Sequence, residues 1–233
     1  MGTYTWSKLI GDSDTLASFL ESSGSLGALQ DLTNLRAEKS LVSFNVSQRA
    51  VISYVLDLPF GKGKKFLNRI SGPVDKVVSG WGLNGFTTLQ SGFPIALSAQ
   101  ASILQKSFGA GTTRPNVVAG CDKTTTGTEQ ARLNAWFNTA CFTQPGSFAF
   151  GTEARTDPNL TSQGIANWEF SVFKDIPITE RIHMQFRSKF FNIFNRTQFS
   201  NPGAQVGTAS TYGIVTAQRN FPRQAQFALR ATF

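Results

Sequence analysis

Residues 166–194 read ANWEFSVFKDI, PITE, RIHMQFRSKFFNIF, and the fold turns on how they are paired. Before the PITE turn, Trp168, Phe170 and Val172 alternate with Glu169 and Ser171. After it, Ile182, Met184, Phe186 and Phe190 alternate with His183, Gln185, Arg187 and Lys189. A period of two, with bulky apolar side chains on one side and charged ones on the other, is the pattern of a strand rather than a helix. The spacing predicts strands over Ala166–Ile176 and Arg181–Phe194.

The same alternation recurs outward from this hairpin. FPRQAQFALRATF (Phe221–Phe233) places Phe227, Leu229, Ala231 and Phe233 against Gln226, Arg230 and Thr232. WGLNGFTTLQSGFPIAL (Trp81–Leu97) sets Trp81, Leu83 and Leu89 against Asn84, Thr88 and Gln90, with glycines that fit bends or close backbone approach. SQRAVISYVLDLPF (Ser47–Phe60) is β-branched and aromatic, closed by Pro59 and the turn GKGKK. Met1–Ile10 reads as a strand cut off at its start, with Tyr4 and Trp6 on one face. About six strands are expected. Between them, 11–40 reads as a polar loop with one helical turn, and Ile70–Val78 as a short helix or a turn. From Ser98 to about Gln163 the alternation fails, over a length that is usual only for a functional segment or one with small elements of its own.

Composition agrees with sheets and turns. Of 233 residues 12% are aromatic, with Phe at 21 against Trp 4 and Tyr 3, and Gly also numbers 21. This argues against an all-helical protein. No apolar run reaches the length of a membrane-spanning helix. A mean hydropathy of -0.13 leaves spanning strands open, because lipid-facing and interior residues average out. Bulky apolar residues alternating with charges over nine or more positions suit a tilted strand crossing a bilayer; the competing reading is a secreted β-sandwich that binds glycans through exposed aromatics. The net charge of +8 raises nucleic acid as a partner, but the one dense basic cluster is Lys62, Lys64, Lys65 and Arg69 and the other cations are scattered. No nucleic-acid partner is expected. GKGKK lacks the ending of a phosphate-binding loop and reads as a solvated turn, with contact to anionic lipid or phosphate as the alternative.

Three stretches together resemble the C-terminal part of a TonB-dependent receptor of the Oar-like outer-membrane β-barrel type. They are NLRAEKSLVSFNVSQRAVISYVLDLPFGKGKKFL (34–67), SGWGLNGFTTLQSGFPIAL (79–97), and NWEFSVFKDIPITERIHMQFRSKFFNIFNRTQFSNP (167–202) with YGIVTAQRNFPRQAQFALRATF (212–233). The resemblance implies an all-β fold, an antiparallel transmembrane β-barrel fragment of about six long strands in a curved open sheet. It spans 1–233 and carries long outward loops, the longest at 98–165. A complete receptor of this kind has a signal peptide, a plug and about 22 strands, so the plug and the earlier strands are expected to lie outside this sequence. The implied function is energised uptake of a bulky substrate. The implied partners are outer-membrane lipid, the missing remainder of barrel and plug, the TonB complex through that plug, and the outer-membrane assembly machinery. Phe227, Leu229 and Phe233 are the implied assembly signal, Phe233 as the terminal aromatic. Counting strands back from the chain end puts the PITE and GKGKK turns in the periplasm and 11–40, 98–165 and 198–212 outside. Glu169, Arg187, Lys189 and Arg230 would line the lumen.

Catalytic chemistry has little to stand on. His183 is the single histidine and sits in a strand between Ile182 and Met184, so no histidine-rich site exists. Ser13 in GDSD has no nucleophile elbow around it and reads as loop. Glu129, Glu153 and Asp157 lack calcium-site spacing. No enzyme activity, metal or cofactor is expected. Cys121 and Cys141 share the long loop, which fits a disulfide in an oxidising compartment, with two free thiols as the alternative. Trp136, Phe137 and Phe142 beside them are candidate ligand-contacting aromatics; the other reading is that they pack the loop onto itself.

Overall fold

The computed structural model describes residues 1–12, 14, 29–31, 33–103, 112–179 and 181–233. Ser13 lies outside them, as does the end of the PITE turn. Six strands form one sheet: β1 (Gly2–Trp6), β2 (Gln48–Asp57), β3 (Trp81–Gln90), β4 (Ile165–Pro177), β5 (His183–Phe191) and β6 (Gln224–Thr232). Their order in the sheet is their order in the chain, and every neighbouring pair is antiparallel. β1 and β6 are the two edges and do not pair with each other.

The register fixes the faces, because residues directly opposite share a side of the sheet. Phe170 faces Phe190 and Gly85, Val172 faces Leu83, and Phe186 faces Leu229. Extending these pairings puts Tyr4, Trp6, Ile52, Leu56, Trp168, Met184 and Phe227 on that same apolar face. Glu169, Gln185, Arg187, Lys189, Gln226 and Arg230 lie on the other. Val51, Val55, Phe86 and Phe173 interrupt the polar face. Phe173 is accommodated because it stands opposite Gly82, where a Cβ would come within 2.2 Å of its ring. On the apolar side Gly85 leaves room in the same way for the Tyr54 hydroxyl, 2.6 Å from where a Cβ would stand.

Strand ends fall short of the sequence expectation in identifiable places. The segment after Gln90 leaves the sheet, and Pro94–Ile95 pairs instead with Asp157–Thr161. Asn192 (φ 49) and Asn195 (φ 51) turn the chain away after β5, in the left-handed region that asparagine tolerates better than most residues. Ile10–Gly11 is not a continuation of β1 but a short ladder with Ser40–Leu41. The helical turn expected in 11–40 is α1 (Leu35–Glu38), and α2 (Pro73–Val78) fills the segment between β2 and β3.

Core placement is inverted relative to a soluble sheet protein. Among the described residues, every buried apolar side chain lies outside the six strands: Val42, Ile95, Ala96, Leu97, Ala99, Phe137, Cys141, Phe142, Leu160 and Val206. They belong to three long connections, 7–47, 91–164 and 192–223, which meet at one end of the sheet, the loop end. The other ladders there have only two strands each, so among the described residues no second sheet covers the first. A sandwich would bury the apolar face against such a sheet. Instead Trp6 (78% exposed), Phe227 (65%) and Leu229 (66%) stand open. On the same face Trp168, Phe170 and Met184 are half-buried, shaded by neighbours such as Phe194, whose ring meets Trp168 edge-on at 5.2 Å. An apolar surface of this extent suits hydrocarbon rather than water.

Candidate functional site

The polar face is a row of hydrogen-bonded side chains running along β4 and β5. Gln185 Nε2 donates to Asp175 Oδ1 at 2.7 Å, and Arg187 Nη2 donates to Gln185 Oε1 at 2.9 Å. The Arg187 guanidinium lies 5.8 Å over the Phe173 ring, and Asn167 Nδ2 donates to Glu169 Oε1 at 3.1 Å. His183 sits exposed at the end of this row, beside a pocket of about 250 Å³ that Asp175 and Arg230 also line. These residues can present charge to a passing solute. None is arranged as a nucleophile with a base.

The loop end holds the more elaborate chemistry. Its apolar centre is Ile95, Leu97, Phe137, Cys141, Phe142, Leu160 and Val206, with the Phe137 ring edge-on to Phe142 at 5.8 Å and to Tyr212 at 5.4 Å. Phe137 and Phe142 are 0% and 3% exposed, which corrects their assignment as ligand-contacting aromatics: they pack the loop onto itself. Trp136 remains at the surface, its Nε1 donating to the Thr161 carbonyl at 2.8 Å and its ring under Arg132 at 5.6 Å. With Trp168, Phe194, Phe199, Arg196 and Gln163 it lines a cleft of about 800 Å³ beside α3 (Glu129–Asn134). Aromatic faces with guanidinium and amide groups around them can hold a polar ring or an anionic group. Sequence reasoning found Trp136 but not its partners, which come from three separate segments.

Cys121 and Cys141 form a disulfide with Cα atoms 5.5 Å apart, joining the turn after Val117 to the one-turn helix Thr139–Cys141. Converting both to serine is expected to lower stability of the loop end by about 3 kcal/mol in the chain-entropy model. Urea titrations of oxidised protein and of the double-serine protein, followed by Trp fluorescence, check this; coincident midpoints would contradict it.

Around that centre runs a layer of buried charge that the sequence pattern does not announce. Arg155 pairs with Asp14, and its Nε and Nη2 donate to the carbonyls of Glu38 and Gly11 at 3.1 and 2.7 Å. Arg114 pairs with Glu38 at 2.8 Å, and the Gln30 side chain bridges Arg114 N and the Gly151 backbone. Glu153 and Asp157, dispersed as residue types, converge on Lys123 Nζ at 3.1 and 2.5 Å. Burial pushes the Glu153 carboxyl above its ordinary 4.5, and Asp157 adds to the rise. Burial alone would lower the Lys123 ammonium. Its bonds to Asp157 and Glu153 outweigh this and hold it above the ordinary 10.5.

A folded value above the unfolded one stabilises fully below the unfolded value and is lost as pH rises through the folded one. Melting of the loop end, followed by near-ultraviolet circular dichroism, is therefore expected to move down more steeply above pH 10.5 in the wild type than in Lys123→Arg. Parallel curves would remove Lys123 from the account. Among the described residues no cluster of three or more His, Cys, Asp or Glu could hold a metal, and the Glu153–Asp157 pair is taken by Lys123.

Comparison with known proteins bears on this arrangement at family level. A family model described as an outer membrane beta barrel domain matches residues 1–226, so that Phe227, Leu229 and Phe233 lie just beyond the match. No curated protein and no solved structure matches the chain. A six-stranded antiparallel meander with an uncovered apolar face, matched by that model over nearly its whole length, belongs to the outer membrane beta barrel domain family and to the outer membrane.

Proposed function

We propose that the chain forms wall and outward loops of a TonB-dependent receptor that takes up a bulky substrate, and that its role is transport rather than catalysis. The observation that carries this reading is the division of the sheet: an apolar face for lipid, a charged and hydrogen-bonded face for a passage, and a canopy with a buried apolar centre at the loop end. In this reading the canopy faces outward and takes part in substrate capture. The 58–80 and 178–182 turns face the periplasm. Glu169, Arg187, Lys189 and Arg230 set the electrostatics of the wall.

The quoted stretches that resemble such receptors supply the energised part of the reading, which runs through a plug that TonB contacts. Phe227, Leu229 and Phe233 serve recognition by the assembly machinery through strand addition at an open edge, with Phe233 fully exposed. Cross-linking in cells tests the receptor reading. TonB is expected to be joined to an outer-membrane product that carries residues 61–69 as an epitope and is longer than 233 residues. An outer-membrane product of 233 residues or fewer that never cross-links to TonB would overturn it.

A further inference from the structure

The connection between β2 and β3 is far longer than the 178–182 turn beside it, although both sit at the same end of the sheet. It is also folded. Gly61 N donates to the Phe66 carbonyl at 3.0 Å and Phe66 N to Pro59 at 2.9 Å. Lys62 N reaches Asp75 Oδ1 and Ser79 Oγ, both at 3.2 Å, which ties the basic turn to α2. The result is a bracket, residues 58–80.

Two contacts say which side of the sheet the bracket occupies. Trp81 Nε1 donates to the Val77 carbonyl at 2.7 Å, and Lys174 Nζ donates to the Ser79 carbonyl while lying 5.0 Å over the Trp81 ring. Trp81 and Lys174 are register partners on the apolar face. The bracket therefore leans on the rim of the lipid-facing side rather than beneath the polar one. There it exposes Phe60, Phe66, Leu67, Val74 and Val77, each at least 40% accessible, and leaves α2 with no buried residue. Interleaved with them are Lys62, Lys64, Lys65, Arg69 and Lys76, all exposed. None of the five forms an ion pair among the described residues.

We infer that residues 58–80 form a docking surface for an anionic glycerophospholipid, the apolar side chains entering the acyl boundary and the cations of the GKGKK turn holding the headgroup phosphate. Apolar residues beside a cluster of cations on one exposed surface are what an element lying in the interface requires. Each cation near an anionic surface strengthens binding severalfold. Lys65 shows how the two parts cooperate, its Nζ lying 5.5 Å over the Phe66 ring so that one side chain serves both layers. This surface depends on membership of the barrel family and not on the receptor reading.

Native mass spectrometry of the full chain, released from neutral detergent micelles doped equally with phosphatidylglycerol and phosphatidylcholine, tests it. Phosphatidylglycerol is expected to be retained over phosphatidylcholine by roughly fivefold or more. The preference should vanish in the variant Lys62→Gln, Lys64→Gln, Lys65→Gln, Arg69→Gln. It should survive Lys→Arg at the three lysines and also Arg132→Gln with Arg196→Gln at the opposite end. Equal retention of the two lipids in the wild type, or a preference that persists after the four glutamine substitutions, would overturn the proposal.

Discussion

Arg155→Met is expected to take about 3–5 kcal/mol from the loop end and to leave the six-stranded sheet paired. Arg155 is 1% exposed and holds three groups at once: the Asp14 carboxylate and the carbonyls of Glu38 and Gly11. Methionine fills comparable volume but satisfies none of them, so Asp14, itself 3% exposed, is left as an uncompensated buried charge. That penalty exceeds the net worth of the pair, which is why removing one partner costs more than replacing both. The 7–47 connection should detach from the 91–164 connection. Amide exchange is expected to rise at Ile10–Gly11 and Ser40–Leu41 while β4 and β5 keep their protection. Unchanged exchange at the short ladder would show that Arg155 is not what holds the two connections together.

The second large effect separates the two faces of one strand. In lipid bilayers Leu229→Arg is expected to cost about 2–4 kcal/mol, and Ala228→Arg distinctly less. Both positions are exposed in the middle of β6, and they differ in the side on which they project. Leu229 shares its face with Phe186, whereas Ala228 is opposite Arg187 on the polar one. Reversible folding titrations into vesicles would measure both. Equal costs, or a larger cost at Ala228, would mean that the apolar face does not meet lipid.

The faces were legible in the sequence because a strand's side-chain period is two, and the alternations within 166–176, 183–191 and 224–232 recur in the observed register. Strand ends were less legible. Trp81–Leu97 reads as one continuous pattern, yet Pro94–Ile95 is drawn away by Asp157–Thr161, and alternation carries no information about which partner a segment chooses. The canopy was hidden for a different reason. Its clamps join residues as distant as Gly11 with Arg155 and Gln30 with Gly151, and contacts of that range leave no periodic trace. Charge also misled, since Glu38, Arg114 and Arg155 look solvated by type but are buried in mutual contact. The one signal available was GTEARTDP (151–158), a dense polar run in a chain only 15% charged. For the candidate site, the cysteines and Trp136 were visible as a local group, and the cleft that Trp136 lines was not, because Trp168 reaches it from β4 and Arg196 and Phe199 from the 192–223 connection.

The two sheet edges govern how many chains or strands a membrane species contains. Outside its ladders with β2 and β5, each of β1 and β6 offers a row of backbone donors and acceptors with no partner in the sheet. Water can satisfy such a row, but hydrocarbon cannot, and each unmet group costs several kcal/mol there. Six strands make too narrow a cylinder for interior residues as large as Phe86, Phe173 and Arg187, since small barrels with side-chain-filled interiors begin at about eight strands. Pairing β1 with β6 of the same copy is thus a poor solution. The stoichiometry of insertion is then decided at β1 and β6, by strands that these six do not themselves provide, rather than by the area of the apolar face.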